Sequence, residues 1–149
     1  VNIKTLFKYE KQDGRAPRIT ASEKLFSLLS DVLDGKKAKY MSDLAKSFSY
    51  TFRRMNLQKG DPLPTQLYLL ARNLRLQPSP ENIKTLIYKR SVINHILAQY
   101  RGEEPIIFNL LFENCFNLVF KSNNREEIAK RSSAFRVFLE EILLHLTIQ

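Results

Sequence analysis

The stretch from Pro105 to Phe120 constrains the chain more than any other. Ile106, Ile107, Phe108, Leu110, Leu111, Phe112, Cys115, Phe116, Leu118, Val119 and Phe120 put apolar side chains on nearly every side of a helix. Such a helix is stable in water only when other elements surround it. Asn109, Glu113, Asn114 and Asn117 interrupt it, and it falls short of the roughly 20 apolar residues that a membrane span needs. It therefore reads as the hub of a bundle, and a chain of 149 residues is long enough to bury one such hub in a single core.

Four glycines and six prolines divide the rest of the chain. Thr20 and Glu23 have capping-box spacing. Leu25, Phe26, Leu28, Leu29, Val32 and Leu33 follow at helical steps, and Gly35 stands where a left-handed residue ends a helix. The spacing predicts a first helix from about Ala21 to Asp34. Met41, Leu44, Ala45, Phe48, Phe52 and Met55 form the cleanest amphipathic stripe and predict a second helix ending near Leu57. Pro64 at a first helical position, then Leu67, Leu70, Ala71 and Leu74, predict a short third helix stopped by Pro78.

Ser79-Pro80-Glu81 reads as a cap, a first-position proline and an acid at the positive end of the helix dipole. It opens a long fourth helix, carrying Ile83, Leu86, Ile87, Ile93, Ile96, Leu97 and Tyr100 and ending at Gly102. The hub is the fifth helix. Asn124 caps the sixth, whose stripe is Ile128, Phe135, Phe138, Leu139, Ile142, Leu143 and Leu146. Glu126–Lys130, Glu127–Arg131 and Arg136–Glu140 are supporting pairs one turn apart. Ahead of these helices, residues 1–19 read as an irregular basic arm with at most a weak strand over Ile3 to Tyr9, and no run reads better as a β-hairpin. The expectation is an all-α fold: a compact six-helix bundle over residues 20–149, behind a short irregular N-terminal arm. Short connections make consecutive helices antiparallel neighbours, and no fixed-period signature supports a solenoid.

Charge is distributed unevenly. Residues 1–100 hold 18 Lys/Arg against 8 Asp/Glu, whereas residues 101–149 hold 6 against 7, for a net charge of +9. A concentrated positive field attracts polyanions and speeds encounter with them. Lys36, Lys37 and Lys39 form the densest run. Ser42, Lys46, Ser49 and Arg53 recur at helical steps and read as a face of cations and hydroxyls opposite Phe48 and Phe52. Those are phosphate-contacting groups. Arg54 and Lys59 extend the line. The expected nucleic-acid-binding residues are thus Lys36, Lys37, Lys39, Lys46, Arg53, Arg54 and Lys59. The competing reading is an ordinary solvated helix face. No zinc-finger, RRM, KH or basic-zipper pattern is present, so base-specific readout has no motif behind it.

Catalytic chemistry finds little support in the sequence. His95, among Ile93 and Ile96, reads as a partly buried structural histidine, and His145 as a helix-end residue. Cys115 reads as a buried small hydrophobe, the glutamate doublets as helix ends or solvated faces, and Ser132-Ser133 as helix surface. One cysteine excludes an internal disulfide. No cofactor or metal is expected. The very apolar chain end, with Leu143, Leu146 and Ile148, either docks internally or forms a partner interface. The expected function is non-enzymatic: an interaction domain of a larger intracellular protein, with the nucleus one setting for such a charge. It would bind nucleic acid through phosphates and bear no membrane segment. The alternative is a protein–protein scaffold or oligomerisation module, its basic face meeting an acidic partner.

Overall fold

Residues 7 to 21 fold as a β-hairpin, which takes in most of the irregular arm expected over 1–19 and the expected start of the first helix at Thr20 and Ala21. The computed structural model describes residues 2–36, 38–75 and 79–147. A 3-10 turn at Ile3–Leu6 leads into β1 (Phe7–Gln12), which pairs antiparallel with β2 (Arg15–Ala21). Gly14, at φ +66°, supplies the left-handed residue of the connection. Phe7 faces Ala21 and Tyr9 faces Ile19 in the ladder; Phe7 and Ile19 are buried. The hairpin holds because this face packs on helices, since an isolated pair of strands is marginal in water.

Thr20 lies in β2 opposite Lys8, so it caps nothing. Ser22 is the cap of α1 (Glu23–Leu33), its Oγ accepting from the Leu25 N–H at 3.4 Å. The same hydroxyl donates to the Leu6 carbonyl at 2.8 Å, which ties the start of α1 to the entry of β1. Gly35, at φ +75°, ends the helix as the sequence implies.

α2 (Ala38–Arg53) stops four residues before the expected Leu57. Its last turn tightens through bonds from the N–H groups of Arg54, Met55 and Asn56 to carbonyls three residues back, and Asn56 turns the chain at φ +56°. Met55 remains buried, which is why the apolar spacing runs on past the helix. In α3 (Pro62–Asn73) Pro62, not Pro64, takes the first helical position; both lie in the first turn, where the missing N–H is not needed. α4 (Pro80–Leu97) starts as read, with Ser79 Oγ accepting from the Asn82 N–H at 3.1 Å. It ends at Leu97 rather than Gly102, because Gly102, at φ +105°, is the turn into α5 (Glu103–Phe120). Asn124 Oδ1 accepts from the Glu126 N–H at 2.9 Å at the head of α6 (Arg125–Thr147).

The architecture is all-α, with the hairpin as its one small sheet among the described residues. α5 is the hub: α1, α2, α4, α6 and β2 all pack against it. α2 lies along α6, and α3 packs on both α4 and α6. A chain of aromatic rings crosses the core, from Phe7 to Phe48, Phe52, Phe108, Phe112, Phe135 and Phe116. The Phe52 and Phe108 centroids are 3.8 Å apart, locking α2 to the hub. Such ring pairs contribute about 0.5–1.5 kcal/mol beyond the area they bury.

Candidate functional site

α2 carries Lys39, Lys46 and Arg53 of the expected set, and its outer face is not the one the spacing suggested. Ser49 is buried, its Oγ within 2.9 Å of the carbonyl oxygens of both Ala45 and Ile142. Arg53 is half-buried and donates to the main-chain carbonyl of His145 in the last turn of α6. Two members of the expected phosphate-contacting line thus point to α6. Their polarity satisfies backbone rather than solvent.

The line that faces solvent is Lys39, Asp43, Lys46, Tyr50 and Arg54, at steps of four, three, four and four, and every member is exposed. At 1.5 Å per residue it runs for about 22 Å. The signal for it was in the sequence. At 100° per residue Lys39 and Tyr50 stand opposite Phe48, whereas Ser49 lies about a quarter-turn away, toward α6. Tyr50, absent from the expected set, sits between Lys46 and Arg54 on the line, with the Arg53 guanidinium 5.0 Å from its ring centroid. Asp43 is its one carboxylate. Lys36 and Lys59 are exposed at the two ends of α2, in the connections to α1 and α3. Lys37 and Ile148 lie outside the described residues.

Ion pairing separates arginine from lysine. Arg75 and Arg136 share Glu140, at 2.8 and 3.2 Å; Arg131 meets Asp34 and Glu127, at 3.1 and 2.6 Å; Arg90 approaches Glu113 at 3.8 Å. No lysine enters an ion pair among the described residues. Glu113 of α5 and Glu127 and Glu140 of α6 are engaged by arginines, while the lysine charge on α2 has no carboxylate at contact distance. The hairpin differs. Its outer face alternates sign, with Glu10 directly opposite Arg18 beside Lys8, so its positive field is diluted.

The chain end mostly turns inward. Leu143 and Leu146 are partly buried against the core, and Leu144, between them in sequence, is the one that is 52% exposed. His95 is exposed rather than partly buried, because it lies on the side of α4 away from Ile93 and Ile96. Ser132 is buried and Ser133 exposed, so only one of that pair is surface.

The remaining polar chemistry does not converge. Cys115 is fully buried, and burial pushes its thiol well above the ordinary range, away from nucleophilic use. A cleft of about 510 Å³ opens between β2, the end of α4 and the start of α5. The Oδ1 atoms of Asn94 and Asn109, which line it, are buried without a hydrogen-bond donor. Beside this region the Tyr9 hydroxyl is raised by burial and by the nearby Glu103 and Glu104 charges. Among the described residues no group of three His, Cys, Asp or Glu is placed to hold a metal ion. Nor is any helix among the described residues long and apolar enough to cross a membrane. No family model, curated protein or solved structure matches the chain.

Proposed function

We propose that the protein is a non-enzymatic helical interaction domain of a larger intracellular protein. It binds nucleic acid through phosphates along the outer face of α2, with low sequence specificity. One observation carries the reading: Lys39, Lys46 and Arg54 stand on a single exposed line around Tyr50, outside the ion pairs that engage arginines elsewhere. Cations spaced along about 22 Å of helix suit a backbone that presents a phosphate about every 3.4 Å per strand. An exposed tyrosine among them offers a ring on which a base stacks without regard to its identity. Lys36 and Lys59 extend the line at its ends.

Fluorescence anisotropy with a labelled single strand and a labelled duplex, over a series of salt concentrations, tests this. Affinity is expected to fall steeply with salt. Lys46→Ala and Arg54→Ala are each expected to reduce the logarithmic salt slope by about 0.7–0.9, while helical circular dichroism stays unchanged. Absence of binding at low ionic strength, or variants that leave the slope unaltered, would overturn the reading.

A second reading, an oligomerisation or scaffold module, is favoured by a different observation. Val137 and Leu144, two turns apart on α6, are both exposed. Sedimentation equilibrium on Leu144→Asp distinguishes it: an assembly that dissociates supports the scaffold, and a monomer throughout removes it.

A further inference from the structure

Phe26 of α1 and Ile87 of α4 are 42% and 45% exposed, and both line one groove. α5, which packs against each of those helices, contributes Phe116 and Phe120 to it. The groove encloses about 440 Å³, and none of its lining residues is acidic. Two cations stand at its edges. Lys121 Nζ is 5.8 Å from the centroid of Phe26, and the Arg90 guanidinium is 5.7 Å from that of Phe116. Arg90 meets Glu113 at 3.8 Å, and Lys121 enters no ion pair among the described residues. An apolar channel between two positive groups complements an apolar ligand bordered by negative ones.

The walls decide the shape of that ligand. α1, α4 and α5 bond their own backbone groups within each helix, so no strand edge is offered and an extended peptide gains no main-chain partners there. On α4 the groove is bounded by Ile83, Ile87 and Arg90, a wall of two turns or about 10 Å. That length matches two apolar anchors one turn apart on a docking helix.

We propose that this groove receives an amphipathic helix of a partner protein, with apolar anchors at i and i+4 inserted between Phe26 and Ile87 and flanking carboxylates on Lys121 and Arg90. The site shares no residue with the outer face of α2, so it stands or falls apart from nucleic-acid binding.

Two synthetic helical peptides of about 16 residues, with the same leucine anchors on an alanine background, serve as probes. One carries glutamates beside the anchors and the other lysines. Binding to the whole chain is measured by fluorescence anisotropy. The glutamate peptide is expected to bind about tenfold more tightly than the lysine peptide. Ile87→Glu and Lys121→Glu are each expected to weaken it about tenfold, with thermal unfolding unchanged. Should Ile87→Glu fail to fold, Lys121→Glu decides, because its side chain lies on the surface. Equal binding of the two peptides, or binding that survives the variants, overturns the proposal. So does a self-association in sedimentation that Ile87→Glu dissolves, which would make the occupant a second copy of the chain.

Discussion

Ser49 Oγ lies 2.9 Å from the carbonyl oxygen of Ile142, hydrogen-bonding the middle of α2 to the backbone of α6. Its single hydroxyl proton is shared between this carbonyl and that of Ala45, also at 2.9 Å. Both acceptors are buried with it, so removing the hydroxyl leaves them one donor short. Ser49→Ala is expected to cost about 1 kcal/mol in urea denaturation. It is expected to leave the salt dependence of nucleic-acid binding unaltered. A serine contacting phosphate would show the reverse: weaker binding with no loss of stability.

Arg53 and Arg54 are neighbours with different tasks. The Arg53 guanidinium donates to the His145 carbonyl at the negative end of α6, where a cation also opposes the helix dipole. Arg53→Ala is expected to lower stability by about 1.5–3 kcal/mol, the range for hydrogen bonds to charged groups. Arg54 is exposed, so Arg54→Ala is expected to stay within about 0.5 kcal/mol of the parent. Its effect is expected in the salt slope instead. Parallel denaturation and anisotropy series on the two variants separate a structural cation from a binding one.

These two residues show what the sequence could and could not reveal. Helix existence followed from apolar spacing, and the starts at Ser79 and Asn124 from local side-chain chemistry that needs no tertiary partner. The hub was legible because a segment apolar on every side has only one stable environment. The orientation of α2 was less so. Phe48 and Phe52 fix one buried face, but Ser49 and Arg53 sit a quarter-turn from it, and only the placement of α6 decides whether that flank is solvent or interface. The hairpin was missed for a related reason. β1 offers just Phe7 and Tyr9 on its inner face, among Lys8, Glu10 and Lys11. Its stability comes from helices distant in sequence. The groove beside Phe26 lay outside reach altogether, since Phe26 and Ile87 each fit their own helix's apolar pattern.

Glu140 gives a pH signature. Burial disfavours its carboxylate, but hydrogen bonds from Arg75 and Arg136, with their charges, outweigh that and hold the carboxyl below its ordinary value. A carboxyl lowered in the folded state stabilises it above the unfolded value, near 4.3, and loses that contribution as pH falls through the folded value. The side chain is 37% exposed, so solvent screening limits the effect to about 0.5 kcal/mol. Glu140→Gln is therefore expected to be less stable than the parent at neutral pH. The gap should close as pH falls from the unfolded value through the lowered folded one, where the parent's carboxyl is protonated. Denaturation midpoints of the two proteins across that range check the sign; a gap that widens on acidification would remove this pairing as a stabilising contact.

The hairpin supplies the sharpest contrast between an arm and a structural element. Phe7 is buried, and its ring meets that of Phe48 edge-on at a centroid distance of 6.4 Å. This contact joins β1 to the middle of α2 and, through Phe52, to Phe108 of the hub. If residues 1–19 were a loose basic arm, truncating Phe7 would leave stability untouched. As a core residue, Phe7→Ala is expected to cost about 3–5 kcal/mol, a large share of the roughly 5–15 kcal/mol that holds a domain folded. Gly14→Ala provides the local control. No atom lies within 4 Å of an added Cβ, so the left-handed φ of +66° alone opposes the change. That strain is about 1 kcal/mol, confined to the turn. A urea denaturation series on both variants is expected to place Phe7→Ala several-fold beyond Gly14→Ala. Equal and negligible losses would mean that the hairpin does not share the core.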